Sequence, residues 1–356
     1  MFALLQRGTV AFLLAIVVVA LALTGMGYSQ LSGQSKTTPL SATGVTGLSG
    51  YDISVFARGT SSYLNPDSVE VDGKYVYVGY QNITAKDGSV GKSSTIVQYT
   101  ALQGKVVRTY SVLGHCDGLR LDPSTHLLWA TSNEDANPRL VTIDPTTGVI
   151  TPYQFPPTPH GGGYDDLAFL NGMAFIAASN PTLNSAGVNV FPAVDTVTLS
   201  NGKALLTPIL YGNATALNTV TNQQVTLNLT DPDSMTIDQE GDLVLDDQAD
   251  AQLIFLHHPG TPQQTVTSVP VGTQVDDTIW IPSAKGRMLI VDGKQNATYS
   301  VTIKTTGFLP GTVYTEAPSD SGVAGFVGTV DLKTGTITPT IIGLSSPTGL
   351  AFIPHG

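Results

Sequence analysis

The chain has 356 residues, a net charge of -11 and a pI near 4.7, and only 12% of its residues are charged. So acidic a chain is a poor match for nucleic acid or an anionic membrane surface, while cations and neutral small molecules remain suitable partners. Its 41% hydrophobic content is enough for a sizeable core and excludes global disorder.

The N-terminus reads as an export signal over 1–29. Arg7 supplies the positive start, Val10 to Leu23 is an unbroken apolar run of fourteen residues, and small residues follow at Gly25, Gly27 and Ser29. The expected location is secreted or periplasmic. The alternative is an uncleaved membrane anchor over 10–23, although that run is short of the roughly 20 residues a spanning helix needs. Residues 30–50, rich in Ser, Thr and Gly, read as a linker or a weak first strand. Cys116 is the only cysteine, so no intrachain disulfide forms.

From Tyr51 onward the pattern is short β-runs, among them Tyr75-Val-Tyr-Val, Leu127-Leu-Trp-Ala, Met173-Ala-Phe-Ile, Leu243-Val-Leu and Met288-Leu-Ile-Val. Turn signals separate them, for example Asp72-Gly73, Asn171-Gly172, Asn201-Gly202 and Asp144-Pro-Thr-Thr-Gly148. A phrase opened by an acid recurs along this stretch: Asp67-Ser-Val-Glu-Val, Asp117-Gly-Leu-Arg-Leu, Asp165-Asp-Leu-Ala-Phe, Asp233-Ser-Met-Thr-Ile and Asp276-Asp-Thr-Ile-Trp. A sixth copy, Thr348-Gly-Leu-Ala-Phe, has lost the acid. The intervals are 50, 48, 68, 43 and 72 residues, and about 40–50 residues suit one four-stranded propeller blade. The two long intervals are expected to carry insertions in 182–229 and 303–325. The fold class that follows is an all-β β-propeller over 51–356. Six blades fit best, closed by joining N- and C-terminal strands, with Tyr51-Asp-Ile-Ser-Val-Phe as the N-terminal contribution. Five and seven blades are the alternatives.

In a blade the first strand lies along the channel and the second runs antiparallel to it. The start of one and the end of the other therefore share a face. An inner ring of Asp67, Asp117, Asp165, Asp233 and Asp276 is expected at one mouth of the channel. A second ring follows from the polar residues 14 to 16 positions later: Asn82, Asn133, Asn180, Asp247 and Asp292. Carboxylates crowded around a narrow channel do not all ionise without a counter-charge. A hard divalent cation such as Ca2+, with six to eight oxygen ligands, answers that need. The plainer alternative is that each acid or amide braces its own loop, as Asp and Asn commonly do at strand ends. His115 and His160 enter the same face on loops, and either could serve as a general base. Glu134 and Asp135, just beyond Asn133, are rival candidates. His257 and His258, before Pro259, read as structural.

The phrases Pro232-Asp233-Ser-Met-Thr-Ile-Asp238-Gln-Glu-Gly-Asp-Leu-Val-Leu and Ser346-Pro-Thr-Gly-Leu-Ala-Phe resemble two related propeller groups. These are the NHL-repeat group and the senescence marker protein/gluconolactonase group. The resemblance, a repeat pattern over roughly residues 60–356, implies a six-bladed propeller with a divalent cation in its channel and hydrolysis of sugar lactones. That group's metal shell has one Glu, two Asn and one Asp. Asp233 falls on its Asp, Asp67 on its Glu, Asp165 on one Asn, and Asp117 beside the other. Only one of the four residue types is kept. Two functions follow as alternatives: a secreted scaffold that binds a small molecule, glycan or protein at the polar face, or a calcium-dependent lactonase or esterase. A lyase that uses a metal and a histidine base is a third.

Overall fold

The computed structural model describes residues 44–319 and 322–355. The export signal and the first part of the 30–50 segment lie outside the described residues. No α-helix occurs among the described residues, and the strands form four four-stranded antiparallel meanders and two further antiparallel sheets that exchange strands. The first sheet is Pro66–Asp72, Tyr75–Tyr80, Ser93–Thr100 and Val106–Leu113. The second is Cys116–Leu121, Leu128–Ser132, Arg139–Ile143 and Ile150–Gln154, and the third is Leu167–Leu170, Met173–Ala177, Pro192–Ser200 and Lys203–Tyr211. These two touch edge to edge through one parallel pair, Gln154 with Lys203. The fourth sheet runs from Pro232–Ile237 through Leu243–Asp247 and Gln252–His257 to Thr265–Pro270. The six inner strands neighbour one another in a closed cycle, so the fold is an all-β propeller around a channel.

Both faces of each sheet are covered, and the second strands show why the sequence runs apolar there. Period-2 alternation sends successive side chains to opposite neighbours. Val76 and Val78 pack toward the closing sheet, while Tyr77 between them packs toward the second. Leu243 and Leu245 face the third sheet, and Val244 faces the fifth. The core is accordingly six apolar wedges, one between each pair of adjacent sheets.

The last two sheets depart from the expected order. The strand after Asp276 is only Thr278–Trp280, and the chain then leaves its own sheet. Gly286–Asp292 and Ala297–Ile303 pair instead with the C-terminal strand Pro347–Pro354, and Tyr51–Arg58 closes that sheet on its outer edge. The chain then returns to complete the fifth sheet with Val313–Ala317, Gly325–Asp331 and Thr336–Leu344. The interval after Asp276 is long because it feeds two sheets, not because it carries an insertion at 303–325. Sequence periodicity reports which residues form strands, not which neighbour each strand selects. The other long interval does hold added structure. A hairpin of Thr215–Asn218 and Gln223–Thr226 extends the fourth sheet through the parallel pair Leu217 with Thr267. Within 30–50, Thr46–Gly47 is a two-residue strand on the outer edge of the fifth sheet.

This interleaving has a mechanical consequence. The link between Ile303 and Val313 is exposed at Leu309 (74%), and the pieces on either side are held in two sheets by separate ladders. Limited proteolysis within 304–312 should leave the two fragments co-eluting on gel filtration. Release of the C-terminal fragment under native conditions would contradict the strand exchange.

Candidate functional site

The inner strands begin irregularly, and that irregularity aims the acids. Register shifts between Pro66 and Val69, Cys116 and Leu119, and Pro232 and Met235 place Asp67, Asp117 and Asp233 within bulges, which turn a side chain out of the ladder. Close approach of neighbouring inner strands restricts the next position. A Cβ on Gly118 would lie 2.5 Å from the Asp165 carbonyl oxygen, and one on Gly349 would lie 2.4 Å from that of Asp67. Only glycine fits at these two places.

All five inner-ring aspartates, with Thr348 as the sixth member, line one cavity of about 540 Å³ at the channel mouth. Its wall holds ten carboxyl groups and three cationic side chains, Lys86, Arg120 and Lys294. Burial first, then neighbouring acids, pushes Asp67, Asp165, Asp233 and Asp276 well above the ordinary aspartate range. Burial also pushes Asp231 up to about 6.

The floor is Arg120. Its guanidinium donates to Asp166 Oδ2 at 2.5 Å and to the Met235 carbonyl at 3.1 Å, and lies 3.5 Å from Asp277 Oδ1. The two acids reach onward, Asp166 Oδ2 accepting the Met235 N–H at 3.0 Å and Asp277 Oδ2 the Leu350 N–H at 2.8 Å. Burial pushes Asp166 up to about 7, with the guanidinium holding back part of the rise. Below Arg120 a second cavity opens, lined by Glu70, whose carboxyl burial also pushes up to about 7.

The densest group of ligand atoms includes two lining acids, Asp117 and Glu134, with His115, which is buried and not itself part of the lining. A His115 ring nitrogen and carboxylate oxygens of Asp117 and Glu134 all lie within 4.8 Å of one another. His115 Nε2 and Asp117 Oδ2 are buried with no hydrogen-bond partner. Thr84 fixes the histidine tautomer. Its single hydroxyl proton goes to the Gln81 carbonyl at 2.5 Å, so its oxygen accepts from His115 Nδ1 at 2.9 Å. The lone pair of His115 is therefore on Nε2, and burial holds the ring neutral by lowering its pKa. Lys86 reaches in from the loop after the first sheet's second strand and pairs with Glu134 Oε1 at 2.5 Å, its side chain 59% exposed.

Other expected site residues have different roles. His160 is absent from the cavity lining: it packs edge-on against Tyr164, its Nδ1 accepts the Gly162 N–H at 3.2 Å, and burial lowers it to about 4. A base role for it has no geometric support. The second ring is largely a set of braces, as the plainer alternative held. Asn82 accepts the Leu64 N–H, Asn133 that of His115, Asp247 that of Asp231, and Asp292 those of Ser345 and Ser346. Each bond clasps the loop that enters an inner strand. Asn82, Asn133 and Asn180 also take left-handed backbone (φ 58°, 69° and 47°), which asparagine tolerates. Asp292 braces the closing sheet, because its strand pairs with Pro347 rather than with the strand after Asp276. Beside Asp276 the second-strand acid is Glu316, fully buried with neither carboxylate oxygen bonded. Asn180 is exposed and lines the cavity. His257, between Asp242 at 2.6 Å and Thr267 at 3.0 Å, is not part of the lining, as expected of a structural residue.

Lys86, Arg120, Asp166 and Asp277 were not singled out in the sequence. Two signals were available: the doubled aspartate in two of the phrases, and an arginine at the fourth phrase position, where other copies have Glu70, Ala168, Thr236, Ile279 and Ala351.

No protein-family model matches the chain, and no curated protein matches it. Three solved structures are similar at low identity. Virginiamycin B lyase from Staphylococcus aureus shares 11% identity over 70% of this chain and 99% of its own, with a TM-score of 0.44. A protein from Lactobacillus plantarum shares 11% over 82% and 89%, with a TM-score of 0.46. A protein of unknown function from Bacteroides caccae shares 10% over 81% and 86%, also with a TM-score of 0.46. The fold assignment rests on the strand pairing.

Two outcomes follow from these charges. Carboxyls raised on folding, such as Asp231 to about 6 and Asp166 to about 7, bind protons in the native state that the unfolded chain has released above about 4. The stability they confer is therefore lost as pH rises from about 4 to about 8. His115 and His160, lowered on folding, act oppositely below about 6.5 but are outnumbered. Chelator-treated protein should melt at a lower temperature at pH 8 than at pH 5; a rise would refute this balance. Arg120→Met would leave Asp166 and Asp277 without their counter-charge, at a cost of about 3–5 kcal/mol near neutrality. Urea unfolding should show the loss shrinking at pH 5.

Proposed function

We propose that this protein is a cation-dependent binding propeller, with a divalent ion held at the channel mouth by His115, Asp117 and Glu134 and a small polar ligand taken into the adjoining cavity. The observation that carries the reading is the orientation of His115. Thr84 commits Nδ1 to donation, Nε2 and Asp117 Oδ2 are both buried without a hydrogen-bond partner, and a ring nitrogen of His115 lies within 4.8 Å of carboxylate oxygens of Asp117 and Glu134. A second hydrogen bond that orients the ring is the usual support for a metal-bound imidazole. A nitrogen ligand among oxygens favours manganese, iron or zinc over calcium, the ion that oxygen ligands alone suggested. Such an ion, when bound, supplies positive charge and Lewis acidity at the cavity wall.

Lys86 is the internal competitor. Its ammonium satisfies Glu134 when no ion is bound, and its exposed stem lets it swing away. The apolar run after Arg7 supports a site of action outside the cytoplasm.

Hydrolysis of a lactone or ester is the second reading. Asp165 and Asp233 both line the cavity, and burial with neighbouring acids raises both well above the ordinary aspartate range, which suits one of them to a general-acid role. A screen of lactones and esters with manganese tests it, and activity that survives Asp165→Asn with Asp233→Asn would dismiss that pair.

Manganese titration followed by electron paramagnetic resonance, together with melting curves, tests the site. Manganese should raise the melting temperature, as any ligand specific to the native state does. His115→Ala, Asp117→Asn and Glu134→Gln should each weaken binding at least ten-fold. Lys86→Met should tighten it, and His160→Phe should leave it unchanged. Manganese binding indifferent to all three ligand substitutions would overturn the assignment.

A further inference from the structure

The ion occupies one wall; the rest of the cavity has a chemistry of its own. This argument deepens the cation-site reading and rests on it for the first ligand. Ten acids against three cations would give the lining a formal charge of -7 if all were ionised, and a divalent ion would bring it only to -5, so several of the acids stay neutral by holding protons until a further cation replaces them. All three cations are already engaged, Arg120 with Asp166 and Asp277, Lys86 with Glu134, and Lys294 with the Ser319 hydroxyl at 3.1 Å. An anionic ligand would meet net repulsion, and a neutral one would leave the surplus charge unanswered.

The hydrogen-bonding inventory is equally one-sided. Much of the donor capacity of the lining is turned onto the lining's own acceptors. Gln248 donates to Asp276 Oδ2 at 3.1 Å, Ser234 to Asp276 Oδ1 at 3.3 Å, Gln81 to Asp117 Oδ1 at 3.4 Å and Asn65 to Gln81 at 2.7 Å. Acceptors remain. Asp117 Oδ2 is assigned to the ion, but Asp166 Oδ1, on a residue 3% exposed that lines the cavity, has no partner. A buried acceptor left bare is costly, so the fitting ligand brings donors.

The walls exclude a further class. The lining contains no aromatic side chain and no Leu, Ile, Val or Met, and its one sizeable apolar side chain is Pro66. An alkyl diamine or an aromatic cation would find no apolar surface against its carbon skeleton. The volume, about 540 Å³, lies in the usual range for a small-molecule site, ~300–1,000 Å³, and Arg120 lies across the floor.

We infer that the cavity selects a small cation rich in hydroxyl groups, a hydroxylated amine of the amino-sugar class, held by Asp165, Asp166 and Asp233 on the third and fourth sheets, beside the ion. The ammonium answers the surplus charge, and the hydroxyls supply the donors that the wall does not spare.

Calorimetry on the whole protein, with saturating manganese and again with chelator, tests this using D-glucosamine, D-glucose, D-gluconate and 1,4-diaminobutane. Glucosamine should bind at least ten-fold tighter than glucose and weaken as salt is added, gluconate should not bind, and diaminobutane should be at least ten-fold weaker than glucosamine. Equal affinity for glucose, preference for gluconate, diaminobutane matching glucosamine, or no binding of any probe would each overturn the inference. Asp165→Asn with Asp233→Asn should abolish the glucosamine preference while the manganese titration stays unchanged. Because manganese is titrated separately on the same protein, the two readings fail distinguishably. Manganese binding without amine selection sinks only this inference. Amine selection that persists in chelator, with no manganese bound, sustains the ligand class and sinks the cation site.

Discussion

Among the described residues, Arg120 is the one cation that lines both the cavity at the channel mouth and the cavity below it, and the arrangement above it depends on that guanidinium. It belongs to the second sheet, pairs with Asp166 of the third, touches a carbonyl of the fourth and faces Asp277 of the fifth. Asp277 in turn holds a backbone N–H of the closing sheet. A ring of sheets packed by apolar wedges alone has no reason to keep its inner strands at fixed heights. The ionic tie supplies one, and it separates an acidic cup above from a second cavity below. The upper carboxyls then have too little counter-charge of their own, and this shortage is what the proposed cations would answer.

The architecture was legible because a propeller writes its repeat into the chain. Acid-led phrases mark the inner strands, and apolar runs such as Tyr75–Val78 mark second strands buried on both faces. What could not be read was the exchange after Asp276, since a strand's period is the same whichever partner it joins. The site was half legible for a similar reason. A carboxylate that faces a cavity and one that clasps a backbone N–H look alike in sequence. The acids of the inner ring proved to face the cavity, whereas Asn82, Asn133, Asp247 and Asp292 proved to be clasps. The histidines divide likewise. His115 sits two residues before an inner-strand acid and is buried close to Asp117 and Glu134, and His160 lies further from its strand and folds back onto Tyr164.

These clasps still matter to the site, at one remove. Asn133 holds the backbone of His115, and Asp247 that of Asp231, so the outer amides and acids set where the inner groups stand. Position 348, where the sixth acid would be, breaks the symmetry of the ring. With threonine there, acids stand on only five of the six inner positions, and the closest grouping of ligand atoms falls around Asp117, two positions round the ring from Thr348.

The interleaved final sheets also impose an order in time. The strand Pro347–Pro354 follows every other strand in the chain, yet it is innermost in its sheet and carries Thr348 into the cup. Four sheets can form as they are synthesised, but Gly286–Asp292 and Ala297–Ile303 must wait with one edge bare until the final strand arrives. The cup has no complete wall before then. The proposed cation site would then be assembled at the end of folding, and in a chain exported unfolded, the ions it met first would be those of its destination.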